Sequence, residues 1–236
     1  MTTYVLVHGA FRGGWSWIRV RRLLEAGGHQ VWTPSLTGAG DRYRPDVRAR
    51  IHLADWAEDI ARLLHYNDLA DVVLVGHSQG GAVAEAAAGL APARIRSLRF
   101  VDAAVPAPGR SIIDSMPPET ASAHGPPPPP DAWLPPVPPP AGQGLDAETA
   151  AWIAARLTPS PAGPAYDRLE PLSPSALAIP RDYAFCTGTP PSYPCTSTRL
   201  RLEAEHVPYI WIKADHDAPL TAPVPLAAWL TRPCPP

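Results

Sequence analysis

Gly76-His77-Ser78-Gln79-Gly80 stands directly behind the apolar run Val72-Val73-Leu74-Val75 and ahead of the alanine-rich stretch Gly81 to Leu90. A serine at the junction of a strand pattern and a helix pattern, with glycine two positions before and two after, predicts a tight turn. Only glycine there leaves room for the strand and helix to approach each other, and the strained serine is pushed out at the carboxyl end of the sheet. Ser78 is therefore a candidate nucleophile on an elbow. The plainer alternative is a strand-to-helix turn in which Ser78 merely caps the helix.

The rest of the chain repeats the strand-then-helix alternation. Tyr4 to Val7 is a short apolar run that ends at His8-Gly9 and suits a strand buried on both faces. Trp15 to Ala26 places Trp17, Val20, Leu23 and Leu24 at helical spacing and stops at Gly27-Gly28. Gln30 to Thr33 is a weaker strand, and Ile51 to His65 is a second amphipathic helix. Ile95 to Val101 forms a fourth strand that ends at Asp102. Asp182 to Cys186 and Tyr209 to Ala214 resume the sheet, each followed by a helix, Thr198 to Glu205 and Leu220 to Leu230. This order predicts an α/β fold: a mostly parallel, doubly wound sheet of about six strands with right-handed crossovers.

Residues 107 to 180 change character. From Gly125 to Pro140, ten of sixteen positions are proline, which neither donates into a ladder nor continues a helix. Asp146 to Leu157 is the one helical pattern inside the segment. The expected organisation is a core of residues 1–106 and 181–236 with a Pro-rich cap, 107–180, inserted after the fourth strand, over the edge where such sheets bind ligands. The tract itself reads equally as a polyproline spacer or as an ordered wall.

An elbow serine needs a base to take its proton and a carboxylate to orient that base. Of eight histidines, His216 lies directly after the last strand, at the same edge as Ser78. Thr187 to Pro194, the loop where the acid usually falls, holds no carboxylate. The acid therefore falls to Asp102, at the end of the strand next to the nucleophile's; Asp182 starts its strand at the wrong end. An oxyanion hole needs two backbone N–H groups. Gln79 supplies one and the loop His8-Gly9-Ala10-Phe11-Arg12-Gly13-Gly14 the other, through Ala10, with Phe11 as the neighbouring alternative. G-x-G-x-x-G is absent, which argues against a dinucleotide fold.

Four motifs in this order, His8 to Trp17, Thr33 to Asp41, Gly76 to Gly81 and Ala214 to Pro219, resemble the α/β-hydrolase superfamily. The resemblance is nearest to the small esterases related to plant methyl esterases and hydroxynitrile lyases. It implies a cofactor-free Ser-His-Asp enzyme acting on a small ester, thioester or lactone. Lyases of that group carry threonine where this chain has Gly9 and lysine where it has Asp217, so both departures point to hydrolysis.

Phe11, Trp17, Trp133 and Trp152, with Tyr166, are candidates for an apolar pocket wall, although aromatic residues at such spacings are more often core. A formal charge of −2 gives no footprint for nucleic acid or for an acidic membrane surface. Cys186, Cys195 and Cys234 lack metal spacing, so no metal is expected and reduced thiols are the default. With a strand at Tyr4 and no long apolar run, the expectation is a cytoplasmic protein whose partner is a small-molecule substrate, with a homodimer left open. An ester or lactone hydrolase is the leading function. A cyclase, lyase or acyltransferase using the same residues, or a catalytically silent binding protein, are the alternatives that the fold leaves open.

Overall fold

The computed structural model describes residues 1–46, 50–116, 128–129, 131–139 and 145–234. Part of the Pro-rich tract, and His124, therefore lie outside the described residues. Six strands, β1 (Thr3–Val7), β2 (Gln30–Trp32), β3 (Val72–His77), β4 (Ile95–Val101), β7 (Arg181–Cys186) and β8 (Ile210–Ile212), form one sheet in the order β2-β1-β3-β4-β7-β8. Every neighbouring pair is parallel. Between β4 and β7, β5 (Trp133–Leu134) and β6 (Ser160–Pro161) make a separate antiparallel pair.

Alternation along the strands explains the layers. Val5, Val7, Leu74, Leu98 and Phe100 face one side, where α2 (Leu53–Tyr66) and α3 (Gly80–Leu90) contribute Trp56, Ile60, Leu64 and a row of alanines. Tyr4, Leu6, Val73, Val75 and Val101 face the other, against α1 (Ile18–Ala26) and the helix Pro223–Leu230. The inner strands β1, β3 and β4 are buried on both faces along most of their length, as a parallel sheet between two helical layers requires, whereas the edge strands β2 and β8 each leave a residue exposed.

Two expected helices differ from the sequence reading. The first begins as a 3-10 turn, Gly14–Trp17, before α1. The last is split into Ala218–Thr221 and Pro223–Leu230. Pro223 has no N–H and pushes the residue before it out of the helical region, and Ala222 accordingly sits at φ −134° and ψ 50°.

The chain runs from β1 outward to β2, then returns past β1 to β3 and continues the other way. The carboxyl ends of β1 and β3 thus flank the point where strand order reverses, the place where open α/β sheets leave a crevice. The segment between β4 and β7 is fastened over this edge by Thr158 N–H to Phe11 O at 3.0 Å and by Leu53 N–H to the Asp167 carboxylate at 2.8 Å. Among the described residues no helix is long and apolar enough to cross a membrane.

Candidate active site

At the end of β3 the chain turns sharply into α3, and Ser78 takes φ +54°. A non-glycine residue in that region is strained by about 1–3 kcal/mol and persists only where its surroundings fix it. Ser78 N–H donates to Val101 O at 3.2 Å, while Ser78 O accepts from Ala104 N–H at 2.9 Å and Gly81 N–H at 3.0 Å. The flanking glycines are a steric requirement. A Cβ on Gly76 would lie 2.4 Å from Gly80 O, and one on Gly80 would lie 2.6 Å from His8 O.

His216 Nε2 lies 2.9 Å from Ser78 Oγ, and His216 Nδ1 lies 2.5 Å from Asp102 Oδ2. Asp102 is 1 % exposed, just past β4. Cys186 N–H donates to its Oδ1 at 3.0 Å, and the Thr189 hydroxyl donates to its Oδ2. Burial alone pushes this carboxyl up, but the His216, Thr189 and Cys186 hydrogen bonds outweigh it and hold the pKa below the usual carboxylate value. An ionised carboxylate only accepts, so Nδ1 carries the imidazole proton and Nε2 presents a lone pair to Ser78. Asp182, by contrast, faces Arg99 at 3.0 Å at the start of β7.

His77 contributes a tie. Its Nε2–H donates to His216 O at 2.7 Å, joining the elbow to the base loop. Burial, with the neighbouring His216 adding to it, lowers its pKa to about 3, so the ring is neutral.

Gly9 to Gly14 brings Ala10 beside the elbow. Among the described residues neither Ala10 N–H nor Gln79 N–H donates to any group. A Cβ on Gly9 would stand 2.7 Å from Ser78 Cβ and 3.1 Å from Ser78 Oγ, so this position has no room for a side chain unless the serine moves. His8, wholly buried, pins the same loop: its Nε2 accepts from Leu36 N–H at 3.0 Å and its Nδ1–H donates to Gly9 O at 2.8 Å. That leaves no room for a second proton, and burial lowers its pKa to about 4.

The sequence reading missed Arg12. Its Nε and Nη2 donate to the two Asp217 oxygens, each at 2.8 Å, and its Nη1 donates to Ala10 O at 3.3 Å. Both side chains are at least nine-tenths buried. Burial pushes Asp217 up, but the Arg12 charge and hydrogen bond together with the nearby His216 and His77 outweigh it and hold the carboxyl below its usual value. The pair clamps the Ala10 loop to the His216 loop. Nothing in the local pattern signals this, because the partners are 205 positions apart. Thr189 also went unread, although it lies in the very loop whose lack of a carboxylate was noted.

The aromatic candidates divide. Phe11, at φ +63°, follows Ala10, and its carbonyl accepts from Thr158 N–H. Trp133 packs beside Gly38 and 5.7 Å from Tyr43, with its Nε1 buried and unpartnered among the described residues. Trp152 sits 5.4 Å from Trp15, with the Arg156 guanidinium 4.0 Å over its ring. Trp17 is not a pocket residue: it is fully buried among Tyr4, Leu6 and Val20 beneath the sheet, because its helical spacing faces the core. Tyr166 lines a cleft of about 710 Å³ between α2, α3 and residues 167–173, whose lining includes none of Ser78, Asp102 and His216.

Comparison with known proteins adds what geometry alone does not carry. The model of the alpha/beta hydrolase family matches residues 4–229. A carbendazim hydrolyzing esterase of a Nocardioides species is 37% identical over 129 residues, covering 52% of each chain. An alpha-hydroxynitrile lyase of Arabidopsis thaliana is 35% identical over 104 residues, covering 44% of this chain and 40% of its own. The chain thus spans about half the length, or less, of the curated relatives it matches. Among solved structures, an extracellular alpha/beta-hydrolase from a Paenibacillus species superposes with a TM-score of 0.76 at 24% identity, covering 97% of both chains. That likeness shows the fold.

Proposed function

The chain belongs to the alpha/beta hydrolase family, and from that premise we propose that it is a serine esterase, cleaving a small carboxylic ester or lactone through an acyl-enzyme on Ser78. The carrying observation is the unbroken run of hydrogen bonds from Ser78 Oγ through His216 to a buried, ionised Asp102. Ser78 Oγ attacks the ester carbonyl carbon while His216 Nε2 takes its proton, and Asp102 steadies the imidazolium. The carbonyl oxygen becomes an oxyanion, met by the unpartnered N–H groups of Ala10 and Gln79. The C–O bond to the leaving alkoxide breaks as His216 returns the proton to it. Water, deprotonated by His216 in turn, then attacks the acyl carbon and frees the acid and Ser78. Residues 107–180 would act as the cap, with Phe11 and Trp133 on the pocket wall.

Two features favour hydrolysis over lyase chemistry. Gly9 leaves no space beside Ser78 for the threonine that the lyases place there. At position 217, where those enzymes carry lysine, an aspartate neutralises a buried arginine. The test is a panel of p-nitrophenyl esters and lactones assayed with the wild type and Ser78→Ala. Turnover by the wild type alone is expected. Equal turnover by both proteins would overturn the reading, and so would a wild type that turns over no member of the panel.

A further inference from the structure

We propose that Asp102, Cys195 and His216 form a soft-metal site, through which a thiophilic divalent cation such as zinc or cadmium switches off the serine base. The switch rests on the esterase reading; the site itself does not.

One ligand atom from each of the three residues lies within 4.8 Å of the others, and the residues are 1 %, 3 % and 9 % exposed. Carboxylate oxygen, thiolate sulfur and imidazole nitrogen are the zinc ligand types, and tetrahedral bonds of about 2.0–2.3 Å set ligand atoms about 3.3–3.7 Å apart. His216 Nδ1 and Asp102 Oδ2, 2.5 Å apart, would open by about 1 Å to admit an ion on that geometry. Charge also matches. A thiolate and a carboxylate with a neutral imidazole cancel the charge of a divalent ion, which lowers the cost of burying it. A cavity of about 180 Å³, lined by Asp102, Cys195, Cys186 and Thr189, adjoins the cluster, and the Trp211 on its lining is 52 % exposed. Its lining does not include Ser78, so an ion can approach Asp102 without crossing the proposed ester site.

The ester mechanism leaves Cys195 unused. Burial, then the Asp102 charge, raises its pKa, so the thiol is protonated without a metal; a bound cation reverses that preference. The Cys195 S–H proton goes to solvent as the metal–sulfur bond forms. As the metal–nitrogen bond forms, the Nδ1 proton passes to solvent and Nε2 takes a proton from solvent, so the ring changes tautomer and stays neutral. Nε2–H then donates to Ser78 Oγ and has no lone pair with which to accept its proton. Nothing is oxidised or reduced. The ligands sit at positions 102, 195 and 216, so no sequence spacing could announce them.

Cadmium is the probe, because its thiolate absorption band reports sulfur ligation without any activity. It is titrated into the full chain as wild type, Cys195→Ala and Cys234→Ala, following the band and, separately, ester turnover relative to each protein's own metal-free rate. The expected result is one equivalent bound with the band, inhibition reversed by a chelator, and an unchanged response in Cys234→Ala. Cys195→Ala should lose the band and need at least about tenfold more cadmium for half-inhibition, since weaker perturbations of metal sites already cost that much. If Cys195→Ala does not fold, Cys195→Ser takes its place. A band that survives without Cys195, or is missing from the wild type, overturns the site. A loaded site with undiminished turnover overturns the switch and leaves the esterase reading standing. A wild type without any turnover defeats the esterase reading, while the band still decides the site.

Discussion

Asp102 is the acid of the proposed triad. Its carboxylate fixes the His216 tautomer, and an amide in its place would favour the wrong one. Asp102→Asn is therefore expected to lower kcat on the order of a thousandfold or more with KM little changed. Among the described residues Asp182 accepts from Arg99 and from Tyr183 N–H and bonds to neither Ser78 nor His216, so Asp182→Asn should cost less than about tenfold. Steady-state kinetics on the two variants check this, and a harmless Asp102→Asn beside a crippled Asp215→Asn would move the acid into the base loop. Asp217 belongs to a different account. Asp217→Asn leaves Arg12 buried and uncompensated, a defect worth about 3–5 kcal/mol in systems where one partner of a buried pair is removed. Denaturant unfolding should register that loss, while the folded fraction keeps its kcat within about tenfold. A thousandfold loss of kcat in a stable Asp217→Asn protein would contradict the separation.

At the scale of elements, the elbow couples the proposed nucleophile Ser78 to the loop that carries Ala10 through contact between backbones. Gly80→Ala would drive a Cβ to 2.6 Å from His8 O and 2.7 Å from Val7 O, both on rigid strand-end backbone. Overpacking of this kind costs about 1–3 kcal/mol, so unfolding curves and turnover should fall together; an unchanged Gly80→Ala protein would mean the strands are not packed as described. This element was legible in the sequence because strand, turn and helix are contiguous there and each leaves a local signature. Asp102 and His216 were legible as strand-end positions, since parallel topology brings strand carboxyl ends to one edge. The Thr189 hydroxyl on Asp102, the Arg12–Asp217 clamp and the His77 bond to His216 O were not. They join loops far apart in the chain, and no periodicity encodes a hydrogen bond across that distance. Trp17 was misplaced for a related reason, since its helical spacing says that it is buried but not against what.

Across the whole molecule, two fully buried histidines make stability depend on pH. His8 and His77 have folded pKa values lowered by burial to about 4 and about 3, against an ordinary 6.5. The unfolded chain therefore binds protons below pH 6.5 that the folded chain refuses, and stability falls as pH drops from 6.5 towards 4. At pH 4 each ring should cost on the order of 3 kcal/mol. Denaturant midpoints at pH 7 and pH 4.5 check the trend, and equal midpoints would show that these rings are not held neutral. The central claim, that fold and loops together activate one serine, is tested most directly by fluorophosphonate labelling followed by peptide mapping. A single adduct on Ser78 in the wild type, strongly diminished in His216→Gln, is the predicted result; an adduct on another residue, or undiminished labelling without His216, would contradict it.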